Sequence, residues 1–248
     1  MIIPRTVDAV HKAWMYRLLA AISENSLSRY LAFKGGTAAA MLGYLDRFSV
    51  DLDFDYLSDE SNFPFLRSEL EIVFGKLCLE IKDSSSVTPQ YFLKYPVNHR
   101  QHGLRNTLKL DITYPPPEAN KYEMLRFSEI DRIINCQTIE TMFANKLVAL
   151  LDRFERNNSI AGRDLYDIHH YFMNGYRYEK KVIEERRAPQ NLIDFFTQLV
   201  DFIEQKITAK IIKQDLNMLM PNESFQRIRK VIKAETLMFL RDELILLR

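Results

Sequence analysis

The segment Phe33–Tyr56, FKGGTAAAMLGYLDRFSVDLDFDY, limits what this chain can fold into more than any other. Carboxylates alternate with apolar residues through Asp51-Leu52-Asp53-Phe54-Asp55. A period of two is that of a strand, so Asp51, Asp53 and Asp55 are expected on one face and Leu52 and Phe54 on the other. Carboxylates stacked along one strand face repel each other unless a cation lies among them. A divalent metal is the usual remedy, and Mg²⁺ takes one or two carboxylates together with phosphate oxygens. Upstream, Tyr30–Phe33 reads as a short strand that runs into Lys34-Gly35-Gly36-Thr37. Ala38–Leu45 has good helix propensity. The glycines tolerate positive φ and let backbone N–H groups approach a bound group. Thr37 is placed to cap the helix, whose N-terminus favours an anion. The turn has neither the Lys-Ser/Thr ending of a P-loop nor the third glycine of a dinucleotide fingerprint. A phosphate-binding turn, a helix and a metal-binding strand in close succession describe a nucleotide site of another kind.

A second strand is expected over 104–114, where Leu108, Leu110 and Ile112 alternate with Lys109, Asp111 and Thr113. It presents one carboxylate, Asp111, on a polar face, and Pro115-Pro116-Pro117 ends it because proline cannot donate to a ladder. Around these strands, helical spacing predicts helices at Val7–Leu27 and Phe63–Leu79. Lys82–Pro89, with three consecutive serines, reads as a loop. Gln90–Val97 and one or two segments within Tyr122–Cys136 read as further strands. After Gln137 the periodicity is helical throughout, with Thr138 as an N-cap. The expected organisation is α+β: residues 1–137 form a mixed sheet with flanking helices, and residues 138–248 form a helical domain. In the second part, Ile139–Phe154 carries Lys146 and Arg153 on a broad face. A helix around Arg163-Asp164-Leu165-Tyr166-Asp167 has Arg163 able to pair with Asp167 at i+4. His169 and His170 diverge on a helix and are read as core or capping residues. Leu192–Arg248 reads as two or three helices bearing Lys206, Lys210, Lys213, Arg227, Arg229, Lys230 and Lys233. Such a stripe can hold the phosphates of a nucleic acid. Lys180, Lys181, Arg186 and Arg187 are diluted by nearby glutamates and carry no expectation.

The Gly-Gly turn, spacer and Asp-x-Asp of Gly35–Asp53 resemble the first motif of the DNA polymerase β-type nucleotidyltransferase superfamily. The fuller string, Lys34-Gly35-Gly36-Thr37-Ala38 through Arg47-Phe48-Ser49-x-Asp51-Leu52-Asp53-Phe54, resembles the AbiEii/AbiGii type. That type comprises toxins of bacterial phage-defence and toxin–antitoxin pairs, MenT-like enzymes included. The resemblance extends over about residues 30–172, and Thr37 departs from it mildly, standing where many superfamily members have serine. It implies a polymerase β-like catalytic core and transfer of an NMP from an NTP. Asp51, Asp53 and Asp111 would be catalytic and would hold Mg²⁺ or Mn²⁺. Lys34, Gly35, Gly36, Thr37 and Lys146 would bind the nucleotide. Asp164, in the family's Arg-Asp-x-x-Asp pattern, would be catalytic or would position a reacting group, and Arg47 and Ser49 would orient the carboxylate strand. The helical half would close over the cleft. The acceptor implied by the MenT-like relatives is a tRNA 3′ end. A protein acceptor, such as a cognate antitoxin, is an alternative in the same class, and a nucleotide- or RNA-binding module without chemistry is one from another.

Composition adds mainly exclusions. The apolar and aromatic content, 47% and 12%, is that of a globular chain rather than a disordered one. The formal charge of +1 leaves the partner open, since local patches can hide in a neutral total. Cys78 and Cys136 lack metal spacing and do not form a disulfide framework. Neither a signal-peptide core nor a membrane-length apolar run is evident, so a cytoplasmic protein is expected.

Overall fold

The computed structural model describes residues 1–96 and 105–248. Its centre is a seven-stranded mixed sheet in the order β3-β4-β5-β2-β1-β7-β6. The strands are β1 (Leu31–Lys34), β2 (Asp51–Tyr56), β3 (Glu80–Ser84), β4 (Gln90–Lys94), β5 (Thr107–Thr113), β6 (Tyr122–Phe127) and β7 (Arg132–Gln137). Two neighbouring pairs are parallel, β2 with β5 and β1 with β7; the others are antiparallel. The alternation read from the sequence holds. Leu52, Phe54, Leu108, Leu110 and Ile112 are all buried. They come from one face of the β2–β5 pair, whose register sets Leu52 against Leu110 and Phe54 against Ile112.

That apolar layer exists because helices cover it. α1 (Asp8–Glu24) packs against β2, β5 and β7 and against α3 (Phe63–Lys76). Phe33 of β1 meets Phe54 and Phe127 with ring centroids 5.1 and 5.6 Å apart, which ties three strands into one core. Beyond β7, among the described residues, every regular element is a helix. α4 (Ile139–Asn157) starts where Thr138 accepts a hydrogen bond from the Thr141 N–H, and it ends at Asn158 in the left-handed region. α4 packs on α5 (Gly162–Met173) and α6 (Lys180–Arg187). α7 (Leu192–Lys206), α8 (Ala209–Leu216), α9 (Asn222–Ile228) and α10 (Ile232–Leu246) complete the chain, with α10 on α5 and α7 and α8 on α5. Among the described residues, no helix is long and apolar enough to cross a membrane.

Several expectations need correction. The helix after the glycines, α2, runs over Gly35–Met41 rather than Ala38–Leu45. Lys34 is its N-cap, so Thr37 lies inside the helix; its hydroxyl donates to the Asp51 carbonyl instead of capping. The stretch read as loop from Lys82 is partly strand. β3 is an edge strand exposed along its whole length, so it has no apolar alternation to reveal it and needs only backbone pairing with β4. β4 ends at Lys94, short of Val97, which lies outside the described residues, as does Leu104 at the start of the next expected strand. The tail from Leu192 folds as four helices rather than two or three.

Candidate active site

The register of β2 and β5 builds the site. Asp53 lies opposite Asp111, and Asp51 lies opposite Lys109, so the three carboxylates share the polar face of two adjacent parallel strands. Burial pushes the Asp53 carboxyl up to about 6, and the charges of Asp51 and Asp111 push the same way while Lys34 and Lys109 oppose them. Asp53 is therefore a carboxylate short of positive charge. Asp111 is partly compensated: its Oδ2 accepts hydrogen bonds from Lys109 Nζ at 2.5 Å and Gln90 Nε2 at 3.0 Å. Three hard oxygen donors with unmet negative charge suit Mg²⁺ or Mn²⁺. Among the described residues, no three acidic, His or Cys side chains are already drawn together in ligating geometry. The fit rests on the donor chemistry and on the strained charge of Asp53.

The glycines act sterically on this cluster. Gly35 has φ +76°, and a Cβ there would lie 2.6 Å from Asp53 Oδ2. A Cβ on Gly36 would lie 2.7 Å from an Arg47 Nη and 3.1 Å from Ser49 Oγ. The turn thus admits the site's own side chains. Lys34 points along the same face, with Nζ 2.6 Å from Asp55 Oδ1 and 2.7 Å from Thr113 Oγ1. Asp55 is fully buried, and its second oxygen accepts from Asn120, Tyr122 and Gln137 at 3.0, 2.9 and 2.6 Å. It is the anchor that fixes Lys34 and joins β1, β2 and β7. The sequence signal for it was present as the third acid of the alternation, but nothing local separates an anchor from a ligand.

α4 and α5 face the strands with charges of their own. Lys146 Nζ lies 2.9 Å from Asp164 and 3.0 Å from Asp167. Asp167 also takes a bidentate pair from Arg47, at 2.5 and 2.6 Å, with both side chains buried. This corrects one expectation: Asp167 pairs with Arg47 and Lys146, not with Arg163, and with Asp164 it forms a buried network. Despite burial, the charges of Arg47 and Lys146 hold the Asp167 carboxyl below the usual carboxylate range. Asp164 Oδ2 is buried without a hydrogen bond and faces Arg153 Nε at 3.4 Å.

Between sheet and helices lies a cleft of about 350 Å³, lined by Lys34, Gly35, Asp53, Asp111, Lys146 and Arg153 together with Arg156 and Arg186. Its size is that of a small-molecule site, roughly 300–1,000 Å³. Arg186 reaches the rim of the cleft because its guanidinium is held by Asn145 Oδ1 at 2.7 Å and Asp152 at 2.5 Å. The neighbouring glutamates did not neutralise it, contrary to its dismissal from sequence.

The remaining candidates lie elsewhere. His169 is buried with Nε2 2.6 Å from Glu235, and His170 Nδ1 lies 3.1 Å from Asp46, in keeping with core roles. Of the C-terminal basic residues, Lys233 is committed structurally, donating to the carbonyls of Glu204 and Ile207 at the end of α7. Lys206 lies over the Phe154 ring. Lys206, Lys210, Lys213, Arg227, Arg229 and Lys230 are exposed, and none of them lines the cleft.

The chain matches, over residues 17–234, the family described as the nucleotidyl transferase AbiEii toxin of type IV toxin–antitoxin systems. It belongs to that family. The AbiEii assignment makes the protein a nucleotidyltransferase and accounts for the carboxylate strand beside a glycine turn. Two Helicobacter pylori structures share the fold. JHP933 is 22% identical, with 96% of this chain and 95% of that chain covered and a TM-score of 0.53. A second, provisionally assigned to the nucleotidyltransferases, is also 22% identical, covering 96% and 98%, with a TM-score of 0.54. No curated protein matches the AbiEii-type chain in sequence.

Proposed function

We propose that this AbiEii-type protein transfers an NMP from an NTP to the 3′ hydroxyl of an RNA, with tRNA as the acceptor, and that a cognate antitoxin restrains it. One observation carries the reading: Asp53 and Asp111, which share a sheet face with Asp51, border a cleft of nucleotide size together with Lys146 and Arg153. In the reaction the acceptor oxygen bonds to the α-phosphorus, the bond to the bridging oxygen breaks, and pyrophosphate leaves. Asp51, Asp53 and Asp111 would hold Mg²⁺ or Mn²⁺, which when bound supplies charge neutralisation to the phosphate oxygens. Asp111 takes the proton from the acceptor hydroxyl. Lys146, Arg153 and Arg186 face the triphosphate and balance the charge that grows on pyrophosphate. Asp164 positions Lys146, to which it is bonded at 2.9 Å. Gly35 and the first turn of α2 lie beside the phosphate tail. Residues 1–137 serve as the catalytic domain, and residues 138–248 as the helical domain that closes the cleft.

The test is incubation of the purified protein with total tRNA, Mg²⁺ and each α-labelled NTP in turn, beside Asp53→Ala. Label on tRNA that is lost in the variant is expected. Label on a polypeptide instead would move the acceptor to protein. No label on RNA or protein, with lysate added, would refute transfer and leave a binding module.

A further inference from the structure

A second groove, of about 370 Å³, adjoins the cleft. It is bordered by Val50, immediately before Asp51, by the loop Ser159–Ala161 ahead of α5, and by Gln214 and Leu219 of the α8 region. Three guanidinium groups line it: Arg105, Arg153 and Arg163. Arg153 lines the cleft as well, so one arginine lies on the boundary of both spaces. Arg105 precedes β5, which carries Asp111, and Val50 leads into β2. The groove therefore opens at the strand ends beside the carboxylates.

Its charge is not cancelled from within. Its one acidic side chain, Asp215, spends an oxygen on the backbone, accepting from Gly162 N–H at 2.6 Å. Among the described residues, no carboxylate lies within ion-pair distance of Arg105 or Arg163. The groove's walls are fixed. Gly162 brings α5 so close to α8 that a Cβ would lie 2.8 Å from the Ile211 carbonyl oxygen. Converging arginines on a rigid wall, beside the carboxylates and outside the triphosphate cleft, match the backbone of an incoming nucleic-acid strand.

We infer that the groove of Arg105, Arg153 and Arg163 binds the phosphodiester backbone of the single-stranded acceptor end and delivers its terminal hydroxyl to Asp111. This rests on the nucleotidyl-transfer reading and assigns the acceptor contact to the arginine groove rather than to the exposed lysines of α7 and α8. Arg105 and Arg163 grip phosphates that do not react, so they are positioning residues. Arg153, shared with the nucleotide, is left intact in the test.

Four proteins decide the matter: wild type, Arg105→Gln/Arg163→Gln, Arg105→Lys/Arg163→Lys and Lys206→Gln/Lys210→Gln/Lys213→Gln, each checked for an unchanged thermal transition. The probes are a fluorescent unstructured single-stranded RNA with a free 3′ hydroxyl and, separately, a fluorescent ATP analogue. Loss of two phosphate contacts is expected to weaken RNA binding at least about tenfold and to lower the salt slope by about 1.4. ATP-analogue binding should stay within about twofold, and the KM for tRNA should rise while that for NTP does not. Arg105→Lys/Arg163→Lys, which keeps the charge, should recover part of the affinity. RNA held equally well by wild type and the double arginine variant, or not held by wild type at all, would overturn the groove assignment. A larger loss in the triple lysine variant would do the same. Absence of binding in wild type by the ATP analogue and by analogues of the other three NTPs alike is a different result, and it sinks the nucleotidyl-transfer reading itself.

Discussion

Asp167→Asn removes the one charge that Arg47 and Lys146 share. Arg47 is 2% exposed and Asp167 is fully buried, so the guanidinium left behind cannot reach water. Lys146 keeps Asp164 at 2.9 Å, but among the described residues Arg47 retains no carboxylate at bonding distance. Breaking a buried pair by removing one partner costs about 3–5 kcal/mol, because an uncompensated charge stays buried. For a chain of this length that is a fall in Tm of roughly 6–20 °C. Arg47→Met should fall at the lower end, since Asp167 still has Lys146 at 3.0 Å. Replacing both, Arg47→Met with Asp167→Leu, removes both desolvation penalties and should lie within about 1 kcal/mol of wild type. Urea unfolding followed by circular dichroism supplies the double-mutant cycle. The pair also has a pH signature. Asp167 titrates below its unfolded value, so its contribution is fully present above about pH 4 and is lost as the pH falls through its lower folded pKa. The gap between wild type and Asp167→Asn should therefore narrow in acid. Single variants costing under about 1 kcal/mol, or a double variant as unstable as the two singles summed, would refute this account of the pair.

Gly35→Ala should cost about 1–2 kcal/mol for its left-handed backbone and should also abolish transfer, because the new Cβ displaces Asp53. Gly43→Ala, at φ +81° with open space around it, is the control, losing similar stability in a thermal melt but keeping its activity in the labelled-NTP assay. In the proposed site ionised Asp53 would hold the metal, so Mn²⁺ affinity measured by electron paramagnetic resonance should fall as the pH drops below about 6, by up to about tenfold per pH unit, and level off above it. A flat profile from pH 5 to 7, on the order of the range that one titrating carboxyl spans, would separate Asp53 from the metal. Gly162→Ala should lower Tm although alanine is the better helix former by about 1 kcal/mol, because its Cβ meets the Ile211 carbonyl. A raised Tm would show that α8 can yield there.

What could be read from the chain was what is local. Asp51, Asp53 and Asp55 declare their common face by spacing alone, and the turn before them declares itself by its glycines. Thr138 likewise announced α4. The rest depends on partners distant in sequence. Arg47 and Asp167 lie 120 positions apart, and no periodicity links an arginine ahead of a strand to an aspartate in the second turn of a helix. Asp55 looked like its neighbours until β7, the loop before β6 and β6 itself closed on it with Gln137, Asn120 and Tyr122. Arg186 was judged by its adjacent glutamates, whereas Asp152 and Asn145 on α4 decide where it points. β3 was invisible because an exposed edge strand has no buried side to pattern. Thr37 was read as the cap of the Ala-rich helix, but α2 already begins at Gly35 with Lys34 as its N-cap, which leaves Thr37 inside it.

The parallel partnership of β2 with β5 spans the whole of α3, β3 and β4, and the cations facing it across the cleft come later still, from α4 and α6. During synthesis from the N-terminus, the acidic face leaves the ribosome first and its basic counterpart last. If the cleft is the reactive centre, the growing polypeptide is harmless to the cell that makes it until α5 has emerged. A cell therefore has the interval of translation in which to supply a restraint. Nonsense alleles that stop before Asp164 should give normal colony numbers without any partner gene, and toxicity from such a fragment would mean that the helices from α5 onward are dispensable.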